Sequence, residues 1–188
     1  MEKKDIRYRK VYRDLKPLYL DLDDNLARAK KFYEEEEIHS CCREGCSACC
    51  SQLVVATRWE AQEAALFLKS LPDFDRYWQN LGSWYAKTKE LLQQRPKKEA
   101  EWEEFAGTYR RLEEPCPFLF EARCAIYPVR PAPCRLLYVS GSPEACADPD
   151  GEFDQLGWFE EAADPALSIL LEKSEAGVFP LLVASALA

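Results

Sequence analysis

Apolar residues recur at helical spacing over residues 21–38, where Leu22, Leu26, Ala29 and Phe32 or Tyr33 share one stripe behind an acidic start. The acid run at 34–37 reads as a solvated helix face. A second helix opens at TRWE, residues 57–60, with Thr57 as N-cap and Glu60 in the third position of a capping box. Ala61, Ala64, Ala65, Leu68 and Leu71 continue it, and Pro72 stops it. Further helices are predicted over 73–94 and 97–112, with Trp59, Trp78, Trp84 and Trp102 read as core. From Glu114 the periodicity breaks. PFLF and AIY are short β-like runs on either side of 121–123, which predicts a small hairpin leading into a proline-framed loop. An acidic surface loop over 148–164 and a short helix over 165–173 follow. The apolar stretch GVFPLLVASALA, interrupted by Pro180, is shorter than a membrane span and is expected to pack on the domain.

The pattern is that of a mainly α protein: one helical domain over 1–188 with an irregular cysteine-rich layer and a small β-hairpin. Its cysteine core covers 42–146, a helical extension 1–40 precedes it, and a tail 147–188 follows. A net charge of −8 argues against nucleic acid and against an anionic membrane as partners. The opening MEKKDIRYRK lacks the apolar run of a secretory signal, so a cytoplasmic protein is expected. In a reducing cytosol structural disulfides are rare, and nine cysteines is an odd number.

The cysteines are clustered. Cys41, Cys42, Cys46, Cys49 and Cys50 form one group and Cys116, Cys124, Cys134 and Cys146 another, while residues 51–115 between them contain none. Any one buried thiol is an ordinary core residue; a set that empties the helices and fills the loops is not. Zinc takes four tetrahedral thiolates, and iron–sulfur clusters also take four. Short gaps such as Cys42-x3-Cys46-x2-Cys49 let a loop turn its sulfurs together, helped by a tight turn at Gly45. Adjacent side chains diverge, so Cys49 and Cys50 are expected to serve two centres or to bridge them. Eight cysteines suffice for two four-thiolate sites or one shared polynuclear site: Cys42, Cys46, Cys49, Cys50, Cys116, Cys124, Cys134 and Cys146. Cys41 is left over. Tyr127, Arg130 and Arg135 are expected to surround the thiolates; Arg43, Arg123, Arg130 and Arg135 sit beside the cysteines in sequence, where cations offset thiolate charge.

Cys46-Ser47-Ala48-Cys49-Cys50, Cys116-Pro117-Phe118-Leu119, Cys124-Ala125-Ile126-Tyr127 and the Arg130-Pro131-Ala132-Pro133-Cys134-Arg135 run resemble the YkgJ-type cysteine-cluster family. Ser142-Pro143-Glu144-Ala145-Cys146 is similar to the ending of many members. The resemblance covers roughly 42–146 and implies a zinc- or iron-chelating domain; some members carry the name flagellin N-methylase. This chain departs from the signature in its first gap, which has three residues where two are usual, leaving the first ligand between Cys42 and Cys41.

The expected function is therefore metal binding, of zinc or an iron–sulfur centre, with a structural, delivery or sensing role and with the metal ion as partner; the thiolates do not discriminate between the two. An alternative is an iron–sulfur methyltransferase using S-adenosylmethionine, because Cys42-x3-Cys46-x2-Cys49 has the spacing by which radical enzymes of that cofactor hold a cluster. Against it stand the helical middle, which leaves no room for a strand–helix barrel, and the lack of a glycine-rich cofactor loop. A redox dithiol at Cys46 and Cys49 needs only two of the many thiols. His39, the single histidine, reads as an exposed helix-end residue, and Ser140 and Ser142 lack a base.

Overall fold

The computed structural model describes residues 15–43, 45–156 and 174–188. The expected helix over 165–173 and the second half of the acidic loop lie outside the described residues. The rest is mainly helical, as the periodicity predicts. Helix α1 (Lys16–Glu35) starts earlier than the apolar stripe suggests. Pro17 in its first turn fixes φ and needs no donated hydrogen bond there, so it favours a start that the acidic residues alone would place later. Leu15, Leu18, Tyr19, Leu22 and Ala29 are buried, whereas Phe32 is exposed and Tyr33 takes the inward position. Residues 34–37 are solvated, and His39 is exposed beyond the helix end.

Strand β1 (Val55–Thr57) leads directly into α2 (Arg58–Lys69). Both halves of the capping box form, with the Glu60 carboxylate accepting from the Thr57 amide at 2.8 Å and the Glu60 amide donating to Thr57 Oγ1 at 3.4 Å. Helix α3 (Phe74–Gln93) fills its predicted range. The fourth helix is shorter than its pattern: a 3₁₀ turn at Glu99–Glu101 precedes α4 (Trp102–Arg110). Trp84 is the most buried of the tryptophans expected in the core, and its indole N–H donates to Tyr109 Oη at 2.8 Å. Trp59 and Trp102 are partly buried, but Trp78 is 46% exposed and is not core. Helical spacing puts it near the apolar stripe without putting it inside.

The hairpin is present but smaller than predicted. β2 (Leu119–Phe120) pairs antiparallel with β3 (Arg123–Cys124) across Glu121 and Ala122, both at positive φ. The AIY run is not strand: Ala125 adds one more hydrogen bond to Phe118, then Tyr127–Val129 turns as a 3₁₀ segment around Pro128. Two short proline-started helices follow, α5 (Ala132–Leu136) and α6 (Pro143–Ala147). The apolar stretch near residue 180 does pack on the protein, in a form the pattern does not predict. Strand β4 (Ala176–Val178) pairs with β1, Val55 opposite Val178, and α7 (Phe179–Leu187) lies along α2. Phe179 and Val183 join Ala61, Ala64, Leu68, Trp84 and Phe118 in the main core. Burying side chains of this kind contributes about 1.5–3 kcal/mol each. Among the described residues no helix is long and apolar enough to cross a membrane.

Candidate metal centre

The two cysteine groups, far apart in sequence, meet in space. Residues 40–41 are sewn to 139–140: Ser40 bridges to Ser140, Ser40 Oγ donates to the Val139 carbonyl at 2.6 Å, and the Cys41 amide donates to the same oxygen at 3.3 Å. Gly45, at φ +80°, turns the chain back, and a 3₁₀ turn at Ala48–Ser51 carries Cys49 and Cys50. The Cys116 amide then donates to the Cys50 carbonyl at 2.7 Å, tying the start of the late group to the end of the early one. Helix α6, which carries Cys146, packs on the same 3₁₀ turn. None of the nine cysteines is in a disulfide.

Electrostatics show which thiols face one another. Burial pushes Cys116 up to about 12, and the neighbouring Cys124 and Cys49 thiols add to it. Burial also raises Cys124, with the Arg130 guanidinium opposing the shift. Cys134 is exposed as a residue, yet the protein around its sulfur is dense enough that desolvation raises it, reinforced by Cys116, Cys124 and Cys49. Cys49 and Cys50 share a hydrogen bond that lowers Cys49 and raises Cys50. Burial lifts Cys146 to about 12, and Cys41 and Cys42 contribute. Cys116 and Cys146, held this high, are protonated at neutral pH, because burial and neighbouring sulfurs disfavour their thiolates.

The residues expected around the thiolates are placed as follows. Arg130 stacks on the Tyr127 ring at 3.9 Å and lies close enough to Cys124 and Cys134 to favour their thiolate forms. Tyr127 itself is 58% exposed. Arg135 is buried, and its hydrogen bonds go to oxygen: its guanidinium donates to both carboxylate oxygens of Asp23 at 2.6 and 2.7 Å and to the Pro128 and Arg130 carbonyls, and it stacks on Tyr19 at 4.0 Å. It buckles α1 onto the Cys134 helix. Arg43 and Arg123 are exposed.

Two supports are not visible in the motifs. Glu60 Oε1 accepts from the Ala132 amide at 2.7 Å, so the α2 capping box also anchors the helix of Cys134. Arg110 gathers the carbonyls of Ala145 at 3.0 Å, Cys146 at 3.3 Å and Gly151 at 3.5 Å, together with that of Asp148, and so fixes the α6 end beside Cys146. A basic residue near a helix end was the one available signal for Arg110; its partners lie over 30 residues away.

The donor set fits a thiophilic metal. Five thiols, Cys41, Cys42, Cys46, Cys49 and Cys146, line one pocket. Among the described residues no three Cys, His, Asp or Glu side chains are already gathered closely enough to enclose an ion. A family model described as CxxCxxCC, "putative zinc- or iron-chelating domain", matches residues 41–161. No curated protein and no solved structure matches the chain.

Proposed function

This chain belongs to the CxxCxxCC family of zinc- or iron-chelating domains, and we propose that it binds its metal, zinc or an iron–sulfur centre, through the thiolates of Cys42, Cys46, Cys49, Cys50, Cys116, Cys124, Cys134 and Cys146. The observation that carries this reading is the Cys116–Cys50 backbone link, which unites thiols from either side of a cysteine-free helical span in one layer. When bound, the metal supplies a cross-link between those chain segments, stabilising the layer by its binding free energy and by closing a long loop. The chain's own part is to hold the sulfurs and to moderate their charge: Arg130 does the latter at Cys124 and Cys134, while Arg135, Glu60 and Arg110 fix the short helices that carry Cys134 and Cys146. Nine free thiols suit a reducing compartment, so the cytoplasm is the proposed location and 1–188 the proposed single domain.

The test is anaerobic purification followed by elemental analysis and a visible spectrum. Colourless protein with stoichiometric zinc supports a structural centre, and brown protein with sulfide-associated absorption supports an iron–sulfur one. Fully folded protein that takes up neither refutes the reading.

A further inference from the structure

The nine thiols fall into two groups that meet at Cys49, which lines the pocket of one and neighbours the sulfurs of the other. The sulfurs of Cys41 and Cys146 stand 4.0 Å apart. Two thiolates on one tetrahedral ion, each about 2.3 Å from it, are separated by about 3.8 Å, the edge of the tetrahedron. This pair already has that spacing, and Cys42 and Cys46 line the same pocket. Gln52 lines it too, and its Nε2 is buried with no hydrogen-bond partner among the described residues. A stranded amide donor is costly beside neutral thiols. Beside thiolates it donates to sulfur and spreads the charge, as outer groups around metal-bound cysteine do. The remaining thiols gather on the other side: the Cys116 amide donates to the Cys50 carbonyl, Cys124 pairs with Leu119, whose amide donates to the Cys116 carbonyl, and Cys134 neighbours Cys116, Cys124 and Cys49. Cys49 and Cys50 share one 3₁₀ turn, and Cys49 is where the two sets meet.

Resting on the thiolate reading above, we propose that the protein holds two separate ions, the first on Cys41, Cys42, Cys46 and Cys146 with Gln52 donating to one of their sulfurs, the second on thiols drawn from Cys49, Cys50, Cys116, Cys124 and Cys134. Cys41, the cysteine that spacing leaves over, is thus a ligand. The chemistry is ligand exchange without redox: a divalent ion gives up its whole hydration shell, and four thiols lose four protons to solvent, leaving a site of net charge −2.

The experiment titrates Co²⁺, as a coloured tetrahedral probe, into the reduced full chain and reads the thiolate-to-metal absorption. Two equivalents are expected for the native protein and one for each of Cys41→Ser and Cys146→Ser. Gln52→Leu retains two and weakens one of them by roughly tenfold, the size of effect seen for outer-sphere partners. Since a cysteine variant can misfold, the native chain is also alkylated after one equivalent and mapped by mass spectrometry. The protected cysteines should come from one set alone. A mixture of the two sets, Cys41 alkylated at saturation, or a single equivalent at saturation overturns this division and leaves thiolate chelation standing; no Co²⁺ uptake at all overturns both.

Discussion

Removing the Glu60 carboxylate tests how the cysteine layer is held. The side chain is 1% exposed and accepts from the Thr57 amide and hydroxyl, both at 2.8 Å, and from the Ala132 amide at 2.7 Å. Glu60→Ala strands two buried amide donors. Each stranded buried donor costs about 1–3 kcal/mol. Against this, the variant no longer desolvates a carboxylate, which offsets part of the loss. The net expectation is a destabilisation of about 2–5 kcal/mol, well above the ~1 kcal/mol typical of a helix cap alone. Glu60→Gln keeps the shape and one carbonyl acceptor, so it should lose about half as much, because its amide group then faces an amide donor. For a chain of this size 1 kcal/mol shifts the midpoint by about 2–4 °C, placing Glu60→Ala roughly 4–20 °C below the native protein. Thermal and urea unfolding at matched metal content measure it. A loss under about 1 kcal/mol in Glu60→Ala would show that Ala132 finds another acceptor and that the reasoning is wrong.

Asp23→Asn removes the charge facing the buried Arg135 guanidinium. Because Asp23 is itself 44% exposed, the expected cost is about 1–2 kcal/mol by chemical denaturation, with Asp23→Glu recovering part of it. Gly151→Ala puts a Cβ 2.2 Å from the Ala145 carbonyl oxygen, a clash with backbone that should cost about 1–3 kcal/mol and loosen Cys146, read as faster alkylation of that thiol in the metal-free protein. Burial holds Cys116 and Cys146 near 12 against 9.0 for a free thiol, so the metal-free fold is favoured below pH 9 and loses that contribution as pH rises from 9 towards 12. For the same reason metal competes with protons at neutral pH, and binding should tighten with rising pH and release protons measurable by calorimetry in two buffers.

Much of this was legible where the signal is local. The Thr57–Glu60 box announces α2 because its hydrogen bonds lie within one turn, and α3 follows from an uninterrupted apolar stripe. The two cysteine groups announce a shared layer because thiols are so unevenly distributed. What the pattern misses is non-local. Glu60 looks complete as a cap, and nothing near it signals Ala132. Arg135 neighbours Cys134 in the chain, yet a carboxylate on α1 attracts its guanidinium more strongly than protonated thiols do. Cys41 appears superfluous until the fold sets it against Cys146. Tyr127, 58% exposed, stacks under Arg130, a contact that the chain pattern does not signal.

The pairing of β1 with β4 imposes an order on biosynthesis. Val55 and its partner Val178 leave the ribosome far apart in time, and until the latter emerges the apolar face of α2 lacks the cover that Phe179 and Val183 give it. Nascent chains must therefore wait, with both cysteine groups already made, for the segment that seals the interior. Premature release before that point would yield an aggregation-prone fragment rather than a trimmed but working protein.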